Sequence, residues 1–282
     1  MATVNLNRKS DTTVGELPPA TREDILGAEF YQEVFVPALF APWSQRIIDK
    51  ARIDASHRVL DLACGTGLVA RDILERVGPS QPPLGFDRSA GMLQVARRLE
   101  PRIDWRFGDA VSLPFADDSF DRVVCQFGLM FFSDRVRALR EMRRVLKPGG
   151  RLVLSVWDRL ERNPGYAEKV RVLDRIAGQA AGDALRAPFN LGDRNALERI
   201  ARDAGLCEVE IDSCDGEACF DNLAGFVDAD LRGWLPVMGV HLDESVRRRV
   251  HAACLAPLRR YEDAPGGRIV LPAGVHFLSC GG

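Results

Sequence analysis

From Arg58 to Trp157 the chain alternates between two periods, and few architectures accommodate that. Five short runs have strand character: "RVLDLAC", "PLGFD" ending at Asp87, "IDWRFGD" ending at Asp109, "DRVVCQF" and "RLVLSVW". Between them apolar residues recur every three or four positions, the helical period. Gly67 to Arg76 reads as a helix. Ser89 caps a second one through Leu99, with Met92, Ala96 and Leu99 on one face. Ser133 caps a third, whose Val136, Leu139, Met142, Val145 and Leu146 form a stripe, and "KPGG" stops it. Strands that alternate with helices, some of them apolar nearly throughout, belong in a parallel sheet covered on both faces. The expected fold class is α/β, a doubly wound sheet whose ligand lies beyond the carboxyl ends of the strands.

After Trp157 the pattern loosens. Residues 164–182 read as helical, and Asp193 caps a helix that turns Leu197, Ile200, Ala201 and Ala204 inward and ends at Gly205. "LCEVEIDSC" reads as a strand, 221–262 as mostly helical with a break at Trp234-Leu235-Pro236, and "RIVLPAGVHFLSC" as a last strand bent at Pro272. With no helix after it, that strand is expected as an antiparallel edge partner of 206–214. The expected organisation is a flexible tail over 1–20 and one domain over 21–282. Within the domain a ligand-binding core covers about 46–158, helical lid segments 159–195 and 221–262, and terminal strands 206–214 and 268–280.

A formal net charge of −2 provides no basic field for nucleic acid or an anionic membrane, and the arginine clusters sit in helical stretches beside acids. The seven cysteines form no C-x-x-C pair and no metal spacing, which fits a reducing, cytoplasmic setting. No apolar run reaches 18 residues, and the first 20 carry no apolar signal region.

The chemistry concentrates in "VLDLACGTGLVA", residues 59–70. A turn needs one glycine; Gly65 and Gly67 together point to something approaching the backbone closely. Three uses fit: a tight turn alone, a dinucleotide fingerprint with Asp87 twenty residues beyond Gly67, or a nucleoside cofactor without a pyrophosphate. The acids separate these. Asp61 would repel a pyrophosphate but suits an ammonium or sulfonium charge, and Asp109 can accept a hydrogen bond from an adenine amine. Asp61, Asp87 and Asp109 lie on three successive strands, which favours a cationic, adenosine-bearing ligand.

"VLDLACGTG", "GFDRSAGML", "GDAVSLPFADDSFDRVVCQFGLMFF" and "ALREMRRVLKPGGRLVLSVWD" resemble, in order and register, the motifs of class I S-adenosylmethionine-dependent methyltransferases. Nearest is the small-molecule group that includes the ubiquinone and menaquinone biosynthesis methyltransferases. The resemblance implies a mostly parallel seven-stranded sheet with its last strand antiparallel, S-adenosyl-L-methionine as cofactor and S-adenosyl-L-homocysteine as product. It implies that Ala63, Cys64, Gly65 and Gly67 face the methionine part, that Asp87 holds the ribose hydroxyls, and that Met92 packs on adenine with Arg88 beside it. Asp109 and Ala110 would bind the adenine edge, and Gln126 and Phe127 would follow the fourth strand beside the sulfonium. Asp61 would act through the glycine loop or a water near the amino group.

The acceptor is expected to be a small, mostly apolar or aromatic metabolite, methylated on oxygen, nitrogen or carbon, by a monomer or homodimer. Tyr31 and Trp43, in "EFYQEVFVPALFAPW", either close over the cofactor or simply pack. Phe131, Trp234 and Met238 are candidates for the substrate pocket, though Phe131 and Phe132 suit a cover for the sheet better than a direct substrate contact. Of the four histidines only His241 is a candidate base; "FGLMFF" is apolar where some relatives of this group carry histidines. Two other classes stay open at this stage: a nicotinamide-dinucleotide oxidoreductase and a non-catalytic cofactor-binding scaffold.

Overall fold

The computed structural model describes residues 17–282; residues 1–16, most of the expected tail, lie outside the described residues. Leu17 packs against a small cluster containing Cys64, Leu93 and Trp105. Helix α1 (Arg22–Phe30) runs through a wide helical segment, Tyr31–Phe40, into α2 (Ala41–Lys50). Pro37 inside that segment cannot donate to a regular helical ladder. The alternating region follows as β1 (Val59–Leu62), α3 (Leu68–Val77), β2 (Leu84–Asp87), α4 (Ala90–Leu99), β3 (Asp104–Phe107), β4 (Phe120–Gln126), α5 (Arg135–Val145) and β5 (Leu146–Trp157). Beyond it come α6 (Pro164–Ile176), α7 (Gln179–Arg186), α8 (Arg194–Asp203), β6 (Glu210–Phe220), α9 (Leu223–Asp228), α10 (Leu235–Val237), α11 (Glu244–Leu258) and β7 (Ile269–Gly281).

The seven strands form one sheet in the order β3-β2-β1-β4-β5-β7-β6. The first five pair in parallel, and β7 is antiparallel to both its neighbours. The strand order reverses between β1 and β4, and a crevice forms at the carboxyl ends of strands flanking such a reversal. β1 and β2 are buried at every residue, Asp61 and Asp87 included, as strands covered by helices on both faces must be.

Several local expectations need correction. β7 is not an edge strand: it inserts between β5 and β6, leaving β6 at the edge. The strand expected at 206–214 runs instead over Glu210–Phe220 and pairs with β7 along its whole length. Pro272 falls where β7 has only β6 beside it, so its missing N–H leaves the β5 ladder intact. The cap of α5 is Asp134, whose carboxylate accepts from the Arg137 N–H at 2.9 Å, not Ser133. α5 ends at Val145, and Leu146 already pairs with Phe120 across a bulge, so "KPGG" belongs to the strand side of the break. Leu99 is exposed; Leu93 and Ala96 carry the buried face of α4. Residues 164–182 are divided between two helices by Gly178 at φ +92°.

The caps at Ser89 and Asp193 form as expected. All seven cysteines are unpaired. Among the described residues no helix is long and apolar enough to cross a membrane.

Candidate functional site

The two glycines have different reasons to be there. After β1 the chain enters the left-handed region at Ala63 (φ +56°), Gly65 (φ +56°) and Gly67 (φ +83°), and Gly67 opens α3. A Cβ on Gly67 would lie 2.3 Å from the Trp105 ring, so packing against β3 demands glycine as much as the backbone does. A Cβ on Gly65 would meet only the Tyr31 ring, at 3.7 Å, which leaves room in front of the loop. Ala63 and, after β4, Phe127 (φ +53°) hold left-handed backbone without being glycine. Such strain gathers at functional sites, and here the two residues flank the strand-order reversal.

The three acids do three different things. Asp61, buried in β1, accepts a hydrogen bond from the Ala70 N–H at 3.0 Å and so caps α3; burial pushes its carboxyl up to about 8. Asp87 accepts from the Gly65 N–H at 2.9 Å and the Ser89 N–H at 2.8 Å, tying the glycine loop to the start of α4. Burial raises its pKa as well. Asp109 is exposed and accepts from the Val111 N–H, while Ala110 beside it is buried. Arg88 is exposed and Met92 half-buried on α4.

The opposite wall comes from the end of β4. Gln126 donates through Nε2 to the Phe40 carbonyl at 3.2 Å, and its Oε1 is buried with no hydrogen-bond partner. Phe127 stacks on Trp157, ring centroids 4.2 Å apart. The roof is the segment Tyr31–Phe40: Tyr31 stacks on Phe40 at 5.2 Å, and Thr66 Oγ1 donates to Gln32 Oε1 at 2.6 Å. Burial, with the charges of Asp87 and Asp61, holds the Tyr31 phenol far above its ordinary pKa. Tyr31, Phe40, Asp61, Cys64 and Gln126 enclose a cavity of about 20 Å³, room for roughly one water. A nucleoside-sized ligand therefore needs the roof to stand farther out.

The residues fit a cofactor with an adenosine and a cationic amino acid. The unpartnered buried carboxamide oxygen of Gln126 suits the cationic end as an acceptor. Asp87 offers a two-oxygen acceptor for vicinal hydroxyls, and the bare Gly65 face admits close approach.

The acceptor-side candidates divide. Trp43 is core, 1% exposed and packed against Trp157 and Phe277, so it lines no open wall. Phe131 and Trp234 do meet, at 5.5 Å, and the Trp234 indole donates to the Ala184 carbonyl at 2.9 Å. Met238 is half-buried nearby in the chain. His241 is exposed, with no hydrogen-bond partner among the described residues, and nothing places it at the cavity. His276 is structural, held between Ser213 Oγ, the Gly192 carbonyl and Asp158. Sequence reasoning did not single out Phe40, Trp157, Phe189 or Tyr166. These aromatic residues join the cavity to the lid, and only the quoted segment around Tyr31 and the end of the fifth strand hinted at them. No group of three metal-ligating side chains occurs among the described residues.

Residues 59–150 match a family model described as a methyltransferase domain. A demethylmenaquinone methyltransferase of Thermotoga maritima is 46% identical over 112 residues, covering 40% of this chain and 48% of that protein. One from Paenarthrobacter aurescens is 42% identical over 187 residues, 62% of this chain and 72% of that protein. The chain thus spans about half the length of the first of these relatives (48%) and more of the second. Among solved structures, the YcgJ protein of Bacillus subtilis superposes with a TM-score of 0.55 at 20% identity, over 84% of this chain and 97% of that one. Phosphoethanolamine N-methyltransferase 2 of Haemonchus contortus gives 0.57 at 16% identity, over 93% and 58%. At these identities the likeness is one of fold.

Proposed function

The chain belongs to the class I S-adenosylmethionine-dependent methyltransferases, and from that premise we propose that it methylates a ring carbon of a small hydroquinone-type aromatic acceptor. The observation that carries the reading is the cavity at the strand-order reversal. Asp61 and the unpartnered Gln126 Oε1 line its two walls, and beyond Gln126 begins an aromatic wall of Phe127 and Trp157. That similar proteins are demethylmenaquinone methyltransferases supports a quinone-derived acceptor. Family membership replaces the nicotinamide-dinucleotide reading of the Gly-x-Gly turn.

When bound, S-adenosylmethionine supplies a methyl group on a positively charged sulfur. Asp87 binds the ribose hydroxyls, Asp109 and Ala110 the adenine edge, and Met92 one face of the base with Arg88 at its rim. Ala63, Cys64, Gly65 and Gly67 line the methionine part, Gln126 accepts from its ammonium, and Asp61 holds the loop through α3. Tyr31 and Phe40 exclude water, while Phe127 and Trp157 orient the acceptor ring for in-line attack. An electron-rich hydroquinone ring needs little acid–base assistance, in keeping with the absence of a histidine near the cavity among the described residues.

The test is a set of acceptors — naphthoquinols, benzoquinols, simple phenols and amines — with a radiolabelled methyl donor. Label on a ring carbon of a quinol is expected. Label only on oxygen or nitrogen overturns the acceptor assignment. A folded protein that binds neither S-adenosylmethionine nor S-adenosylhomocysteine at micromolar concentration overturns the whole reading.

A further inference from the structure

Tyr166 lies in the first turn of α6, and its hydroxyl oxygen is buried with no hydrogen-bond partner among the described residues. Its ring packs edge-on against Phe226, at 5.4 Å and 88°, and against Phe189 at 5.5 Å. Phenylalanine would make both contacts without burying a polar atom, so packing alone does not account for the hydroxyl.

The surroundings fix where this residue sits. Asn163 anchors the start of α6: its side chain donates to the Asp158 carbonyl at 3.2 Å and accepts from the Gly274 N–H at 3.3 Å. Tyr166 is therefore held just past the carboxyl end of β5, the strand paired with the one that delivers Gln126 and Phe127. A continuous row of rings connects the two places, Phe127 on Trp157 at 4.2 Å, Trp157 to Phe189 at 6.4 Å, and Phe189 to Tyr166 at 5.5 Å.

Behind Tyr166 stands a buried ion pair, Lys169 with Asp230. The Lys169 ammonium also donates to the Phe226 carbonyl at 3.0 Å and sits over the Phe226 ring at 3.3 Å and near the Tyr166 ring at 4.4 Å. Two of its three donors are hydrogen-bonded and the ammonium faces the two rings, with no hydrogen bond to the tyrosine hydroxyl; Lys169 fixes the ring.

Resting on the methyltransferase reading above, we propose that Tyr166 is an acceptor-binding residue whose hydroxyl donates a hydrogen bond to an oxygen carried by the aromatic acceptor. Lys169 and Asp230 are positioning residues that hold α6 against the segment 223–234 and set the direction of that hydroxyl. Burial and the Asp230 charge keep the phenol protonated, which suits it to donate to a hydroxyl, quinolate or carbonyl oxygen.

The experiment compares 1-naphthol with naphthalene, two probes that differ by one hydroxyl, by ligand-detected NMR with wild-type protein and Tyr166→Phe. Wild type is expected to bind 1-naphthol more tightly than naphthalene. Tyr166→Phe is expected to weaken 1-naphthol about five- to tenfold and leave naphthalene unchanged. Equal weakening of both, no change in either, or no binding of either by wild type overturns the proposal. S-adenosylhomocysteine affinity, measured in parallel by calorimetry, is expected to stay within about twofold in the variant. If wild type binds 1-naphthol through Tyr166 but no S-adenosylhomocysteine, the methyltransferase reading fails while the aromatic-alcohol subsite stands.

Discussion

The carboxylate of Asp87, at the end of β2, accepts a hydrogen bond from the backbone N–H of Gly65 at 2.9 Å, so an acid on one strand fixes the loop that leaves its neighbour. Its second oxygen accepts from the Ser89 N–H at 2.8 Å. Asp87 thus shapes the glycine loop before it meets any ligand. Asp87→Ala should weaken S-adenosylhomocysteine binding by about 1.5–3 kcal/mol, the scale for hydrogen bonds to a charged group. Part of that loss comes from the loop, so an analogue lacking the ribose hydroxyls should also lose affinity, but less. Equal losses in calorimetry would mean that Asp87 acts through the loop alone.

The glycine pair makes opposite demands on a substitution. Gly67→Ala drives a methyl into the Trp105 ring and keeps a left-handed backbone, so it should lower folding stability by about 2 kcal/mol or more. The Cβ added by Gly65→Val meets only the Tyr31 ring; the change should cost about 1–3 kcal/mol of backbone strain, leave a folded protein, and abolish cofactor binding by filling the loop's open face. Denaturant melts paired with calorimetry separate the two. Full affinity in Gly65→Val would make that glycine a turn residue only.

How much of this was legible in the sequence follows from range. The strand–helix alternation, the glycine loop and the strand-end acids are local, and each shows as a periodicity or a spacing. The insertion of β7 between β5 and β6 depends on a choice of neighbour among distant strands, which no local pattern encodes. Asp134 and Ser133 are adjacent residues with the same capping chemistry, so the sequence alone could not choose between them. Trp43 reads as an amphipathic aromatic, and the packing of Trp157 and Phe277 around it makes it core. Tyr166 escaped notice because its meaning is an unpartnered atom, a property of its surroundings.

Asp61 makes stability depend on pH in an unusual direction. Its folded carboxyl titrates at about 8, against about 4 in the unfolded chain. Between those values the folded state holds a proton that the unfolded state has lost. Stability therefore falls as pH rises above about 4 and levels off past about 8, by at most about 1.4 kcal/mol per pH unit for this proton. Asp87, also raised, acts in the same sense. Denaturation midpoints from pH 5 to 8.5 should decline in wild type and decline less in Asp61→Asn, which keeps a neutral acceptor for the Ala70 N–H. Identical slopes would remove Asp61 from the account.

The Lys169–Asp230 pair should behave as a buried ion pair with little net worth and a large cost when halved. Both side chains are buried, and they join α6 to the segment after α9. Lys169→Met strands a carboxylate and should destabilise the protein by about 3–5 kcal/mol. Lys169→Met combined with Asp230→Leu removes both charges and should recover most of that loss. A double variant no more stable than the single would show that the hydrogen bond from Lys169 to the Phe226 carbonyl, not the charge pair, holds the lid.

Trp234 tests where the acceptor enters. Its ring meets Phe131 at 5.5 Å, and its indole N–H donates to Ala184, so it closes the far end of the segment that Lys169 holds at Asp230. Phe131 is 40% exposed, which puts this pair at an open rim and not in the core. Trp234→Ala should lower methyl transfer to a quinol acceptor at least tenfold while changing S-adenosylhomocysteine affinity by less than about twofold, or roughly 0.4 kcal/mol. Trp234→Phe keeps the contact with Phe131 and loses only the bond to Ala184, so it should retain most of the turnover. If Trp234→Ala damages cofactor binding as much as turnover, the residue supports the fold; if Phe fails as badly as Ala, the bond to Ala184 matters more than the aromatic surface.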